Sequence, residues 1–131
     1  MITLTQRQVL QTIGITARQL LYFVDKGVVI PDVNNGVGKG KAREYSPENI
    51  AEIRLGVILR NMGITVEDAA KICTQFRDIR KEEKMDLSKY RFLITNDVDQ
   101  VWLSDELPTA DSINGTKALI IVKIVDLQPR L

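Results

Sequence analysis

Arg18, Gln19, Tyr22 and Lys26 fall within one short stretch, Ile15 to Val29, at separations that a helix turns onto a single wet side. Long hydrogen-bonding side chains near the N-terminal end of such a helix are what a major-groove element needs for base edges and phosphates. Lys39, Lys41 and Arg43 follow in a glycine-rich segment, three cations within five residues, a spacing that suits successive phosphates. Nothing in this set is a nucleophile beside a base. With no histidine and one cysteine, the chain has no soft-metal site, no intramolecular disulfide and no paired-carboxylate arrangement at a telling spacing. The chemistry expected is recognition of a polyanion, with no enzyme activity and no cofactor.

Stepping outward to the elements, Thr16 is placed to cap the helix by accepting from the backbone of Gln19, whose carboxamide reaches back. Gly27 ends it. Ala17, Leu20, Leu21 and Val24 are the expected inward stripe, leaving Arg18, Gln19, Tyr22, Asp25 and Lys26 outside. Thr5-Gln-Arg-Gln8 opens an earlier helix in the same style, and Ser46 and Thr65 open two later ones, with Pro47 at the favoured first helical position. Gly14, Gly27 and Gly63 stop the first three. Only a short glycine-centred link separates the first two helices, so they form a helix-turn-helix.

After Gly27, Val-Val-Ile-Pro-Asp reads as a short strand, Asn34 to Gly40 as a turn, and Lys41 to Tyr45 as a returning strand: a β-hairpin wing with Lys39, Lys41 and Arg43 at its tip and return arm. The Gly36-x-Gly38-x-Gly40 spacing is not a nucleotide loop, because it leads into the returning strand and not into a helix N-terminus. The third helix, Pro47 to Met62, is mostly core. The fourth, Val66 to about Lys84, carries Ala69, Ile72, Cys73, Phe76 and Ile79 at spacings of three and four. Phe76 and Ile79 either pack on their own domain or pair with a second subunit, the second being favoured. Cys73 is expected to be a small buried hydrophobe.

From Asp86 the hydrophobic period falls to two. Tyr90 to Thr95 and Gln100 to Ser104 read as a hairpin turning at Asn96–Asp99, and Lys117 to Leu127 as a third strand, apolar on both faces and therefore central, covered by the fourth helix or buried between subunits. Tyr90, Phe92 and Trp102 could line an effector pocket; core is the expected place. The fold class expected is α+β, with four helices and a hairpin wing in residues 1–84, then a small antiparallel β-rich region in 85–131 for dimerisation or effector binding.

Net charge is only +1, but it is unevenly spread. Residues 1–43 carry six basic and two acidic groups, a balance of +4, and residues 85–131 five basic and seven acidic, a balance of −2. The basic excess lies on the expected reading head. The apolar run Ala118–Val122 is far short of a membrane span, and MITLTQRQ has no leader pattern, so a cytoplasmic address is expected.

In order and spacing, GITARQLLYFVDKGVVIP, then KAREYS, then NMGITVEDAAKI resemble the MerR family of bacterial transcription regulators, over roughly Thr3 to Cys73. The resemblance implies a winged helix-turn-helix that dimerises on inverted-repeat promoter DNA, with Arg18 and Gln19 in the groove, Tyr22 and Arg43 on the backbone, and RNA polymerase as a further partner. Leu21 stands where the family usually has Arg, Phe23 where a second Tyr is common, and the wing is longer, which shifts expected affinity toward the wing. The expected DNA-binding set is Thr16, Arg18, Gln19, Tyr22, Lys26, Lys39, Lys41 and Arg43. Two other readings use the same elements: a phage or plasmid architectural protein acting in excision, packaging or partition, and an interaction adaptor that has lost DNA binding.

Overall fold

Each of the four helices begins on a hydroxyl side chain. Thr5, Thr16 and Ser46 each close a reciprocal capping box with Gln8, Gln19 and Asn49, and Thr65 accepts from the backbone N–H of Asp68 at 3.2 Å. These bonds satisfy first-turn donors that have no partner inside a helix. The computed structural model describes residues 3–33, 42–83, 89–97, 100–109 and 120–127. Within them the order is β1 (Leu4–Thr5), α1 (Gln6–Ile13), α2 (Ala17–Asp25), β2 (Glu44–Tyr45), α3 (Pro47–Asn61), α4 (Val66–Glu83), β3 (Phe92–Asp97), β4 (Gln100–Ser104) and β5 (Ile120–Lys123), followed by a 3₁₀ turn at Ile124–Asp126. The fold class is α+β, as the sequence indicates.

Gly27 shows why a glycine follows α2. At φ 79° it lets Val28 N–H donate back to the Phe23 carbonyl at 2.9 Å, closing the helix and turning the chain into the interior.

The expected hairpin is paired differently. Glu44–Tyr45 lies antiparallel to Leu4–Thr5, with Tyr45 opposite Leu4, and Val28–Val33 is in no strand. The reason lies in tertiary contacts: Val28 and Val29 are fully buried, Pro31 has no N–H, and side chains from α3 and α4 hold polar backbone groups of Val28, Ile30 and Asp32. The tip, with Lys39 and Lys41, lies outside the described residues.

In α2 the inward side is rotated by about one residue from the expected stripe. Leu20 and Phe23 are buried and Val24 is half-buried, whereas Ala17 and Leu21 face solvent. Phe23 wins the inside because it meets α3 at Gly56, where there is no side chain to keep it away.

The C-terminal strands form an antiparallel sheet in the order β4-β3-β5, with Ile94 paired to Trp102 on one side and Ile121 on the other. The central strand is therefore β3. Of the places expected for the last strand the central one is not taken: it is an edge of the described sheet, and after Lys123 the chain turns so that Ile124 and Leu127 drop into the core. Val101 and Leu103 of β4 face the core and Tyr90 packs against it, whereas Phe92 is half-buried and Trp102 lies on the other side, 39% exposed, so Trp102 is not the core residue expected. Phe76 is fully buried within its own chain and Ile79 is half-buried, which removes Phe76 from pairing with a second subunit. One buried cluster runs from Leu4 through α1–α4 to Leu93, Val122, Ile124 and Leu127.

A Cβ at Gly56 would lie 2.7 Å from Val28 Cγ1 and 3.0 Å from Phe23 Cε2, both in buried side chains. Gly56→Ala is expected to destabilise the protein by about 1–2 kcal/mol, since overpacking outweighs the gain in helix propensity. A urea unfolding midpoint at or above that of the wild type would show that the contact yields.

Candidate nucleic-acid interface

The exposed side of α2 is built by its buried side. Leu20 and Phe23 anchor the helix, and Arg18, Gln19, Tyr22 and Lys26 are consequently held in solvent. Thr16 is also exposed, but its hydroxyl accepts from Gln19 N–H at 3.1 Å while Gln19 Oε1 accepts from Thr16 N–H at 2.9 Å. Capping therefore occupies one acceptor of Gln19 and leaves its amide group to donate outward. Lys26 places its ammonium 5.9 Å from the centre of the Tyr22 ring. At that distance the pairing is a weak cation–π contact, which restrains the phenol without consuming the charge.

Gln19 and Tyr22 share a shallow cleft of about 170 Å³ with Arg60 and Asn61 at the end of α3. Arg60 donates to the Ile64 carbonyl at 2.9 Å and remains exposed. Sequence reasoning missed it, because it sits far along the chain on a helix read as mostly core. Leu21, expected on the inward stripe, is 46% exposed, on the same outer side as Arg18 and Tyr22. No local signal distinguishes the two, because Phe23 takes the interior only where Gly56 of α3 leaves it room.

Lys26 also lines an open groove with Lys71 and Thr74 of α4. Arg43 differs from the other candidates. It is half-buried, its Nε is enclosed without a hydrogen-bond partner among the described residues, and it stands near Tyr45, whose phenol is pushed up by burial and drawn back by this guanidinium.

Behind α2 lies a buried polar cluster that the sequence did not announce. Glu52, fully buried on α3, accepts from Arg77 Nε at 3.2 Å and from Arg80 Nη2, both from α4. Arg77 Nη2 reaches on to the Val28 carbonyl at 3.2 Å, just past the end of α2. Asn49 donates to the Ile30 carbonyl at 2.8 Å and accepts from Asp32 N–H at 2.9 Å. Burial pushes the Glu52 carboxyl upward; Arg77 and Arg80 oppose it. Read as isolated letters, Glu52, Arg77 and Arg80 look like solvated charges on amphipathic helices.

Two capped helices joined around Gly14, the second presenting a cationic, hydrogen-bonding side, define a helix-turn-helix protein. The family described as MerR HTH family regulatory protein matches residues 4–75, more than half of the 131-residue chain, and the chain belongs to that family. It is a DNA-binding transcription regulator. No curated protein matches it. Among the described residues no helix is long and apolar enough to cross a membrane.

Cys73 lies on the buried side of α4, where its thiol is 3.7 Å from the Glu52 carbonyl. Burial pushes the thiol from its ordinary 9.0 up to about 12, with the Glu52 charge adding to the rise. The sign follows from proton binding: above pH 9 the unfolded chain loses this proton and the folded chain keeps it. The stabilising contribution is thus full below pH 9 and is lost as pH rises toward 12. At pH 8 a thiol reagent is expected to label the native protein at least ~100-fold more slowly than the urea-unfolded chain. Equal rates would mean that Cys73 is accessible.

Proposed function

We propose that the protein binds an inverted-repeat operator as a homodimer, with α2 in the major groove and the basic segment Lys39, Lys41 and Arg43 on the flanking backbone. The observation that carries this reading is that Arg18, Gln19, Tyr22 and Lys26 occupy the exposed side of a capped helix inside the family-matched region. A helix so held brings its N-terminal side chains to base edges as one rigid unit. Arg18 and Gln19 then discriminate bases, Tyr22 donates a hydrogen bond to the backbone, and Lys26, Arg43 and the cations at 39 and 41 neutralise phosphates and release counterions. Thr16 fixes where the helix begins. Arg60, beside Gln19 and Tyr22, extends the cationic surface.

Residues 1–84 form the reading head in this proposal, and residues 85–131 serve pairing or effector binding. The protein acts in the bacterial cytoplasm, with RNA polymerase as its further partner at the promoter. No step makes or breaks a covalent bond.

Leu21 adds a specific element. An exposed leucine beside Arg18 and Tyr22 offers no hydrogen bond, and the one apolar feature of the major groove is the thymine methyl.

Three outcomes follow on an operator selected from random duplexes. Arg18→Ala should lose about 5- to 150-fold in affinity for the selected site while binding random DNA almost unchanged, the loss of ~1–3 kcal/mol that one paired base contact represents. Lys41→Ala should weaken both alike and lower the salt slope by about one. Equal losses on both duplexes for Arg18→Ala would remove it from base reading. Replacing the contacted thymine with deoxyuridine should weaken the wild type about fourfold, as expected for one methyl at ~0.8 kcal/mol, and leave Leu21→Ala unaffected. An unchanged wild-type affinity at every thymine would exclude the methyl contact.

A further inference from the structure

The segment that leaves α2 has no secondary structure to hold it. Val28–Val33 is neither helix nor strand, yet Val28 and Val29 are fully buried, so its backbone polar groups need partners within the protein. Side chains supply them. Arg77 takes the Val28 carbonyl, and Asn49 takes the Ile30 carbonyl and the Asp32 N–H. Arg77 is itself aimed by Glu52, which accepts its Nε at 3.2 Å and also receives Arg80. One guanidinium therefore spans α4, α3 and the end of α2.

We propose that Arg77 is a positioning residue for the reading helix, fixing the C-terminal end of α2 against α3 and α4 so that Arg18 and Gln19 meet base edges at a constant angle. This rests on the regulator reading above.

Three features separate positioning from mere stability. A buried ion cluster is a weak source of stability, since apolar residues of similar size often replace one without loss, whereas its geometry is specific. The planar fork of arginine makes two bonds in different directions at once, which an ammonium cannot do with the same reach. The carbonyl it grips is that of Val28, whose N–H closes the last turn of α2 on Phe23, so displacement at Val28 passes directly into the helix. Val28 and Phe23 are also the residues closest to Gly56, which leaves the α2–α3 contact little slack.

The test compares wild type, Arg77→Lys and the stability-lowering control Ile72→Val, in which the cluster is intact. The readouts are the ratio of affinities for the selected operator and for random duplex, and amide hydrogen exchange at Val28 in the free protein. Destabilisation alone lowers both affinities by the same folded fraction and leaves their ratio unchanged. Arg77→Lys should reduce the ratio about tenfold and speed exchange at Val28 about tenfold, while Ile72→Val changes neither the ratio nor Val28 relative to its neighbours. If Arg77→Lys does not fold, the triple variant E52M/R77M/R80M, which removes the charges together, takes its place with the same expectations. An undiminished ratio, or unchanged exchange at Val28, overturns the positioning role. A wild type that prefers no duplex over random DNA overturns the regulator reading, and the positioning role with it.

Discussion

Glu52 carries a carboxylate into the interior of the protein, and much of the helical region is arranged around that fact. A buried charge is costly unless it is met by an opposite charge with good geometry. The side chains that meet it, Arg77 and Arg80, come one turn apart on α4, so α4 must lie along α3 in a single register. Sliding either helix by one residue would leave one carboxylate and two guanidinium groups unpaired in the core. Arg80 is further enclosed by Phe76, its guanidinium 5.0 Å from the ring centre. Hydrophobic packing between the helices tolerates small shifts; this cluster does not.

The consequence reaches the exposed side of α2 through backbone atoms. Asn49 is at once the third residue of α3, closing the cap on Ser46, and the partner of Ile30 and Asp32 in the chain leaving α2. Ser46 in turn donates to the Asp32 carboxylate at 2.9 Å. The start of α3 and the exit of α2 are thus one hydrogen-bonded assembly. Side chains thus hold the Val28 and Ile30 carbonyls and the Asp32 N–H in a segment that belongs to no regular element. That assembly favours β1 as the partner of β2: the Val28 and Ile30 carbonyls and the Asp32 N–H are already engaged.

The C-terminal sheet continues the same interior. Val101 and Leu103 of β4 lie against the core, β4 packs on α4, and Ile124 and Leu127 enter the cluster that begins at Leu4. Residues before and after position 84 therefore share one core. Small chains bury a modest fraction of their surface, and a continuous core makes the most of what this one has.

Local features were written plainly in the sequence. Capping residues at Thr5, Thr16, Ser46 and Thr65, glycines at the helix ends, and the change of hydrophobic period near Asp86 gave the four helices and the sheet-forming hairpin, because each depends on hydrogen bonds or spacings within a few residues. The exposed side of α2 was legible for the same reason, down to Arg18, Gln19, Tyr22 and Lys26. Which of Leu21 and Phe23 turns inward was not, since it depends on the gap at Gly56 of another helix. Nor were the partner of β2, the edge position of β5, the approach of Arg60 to Gln19, or the union of Glu52 with Arg77 and Arg80. Those are meetings of residues distant along the chain, and only tertiary packing, by choosing which surfaces lose their water together, could decide them.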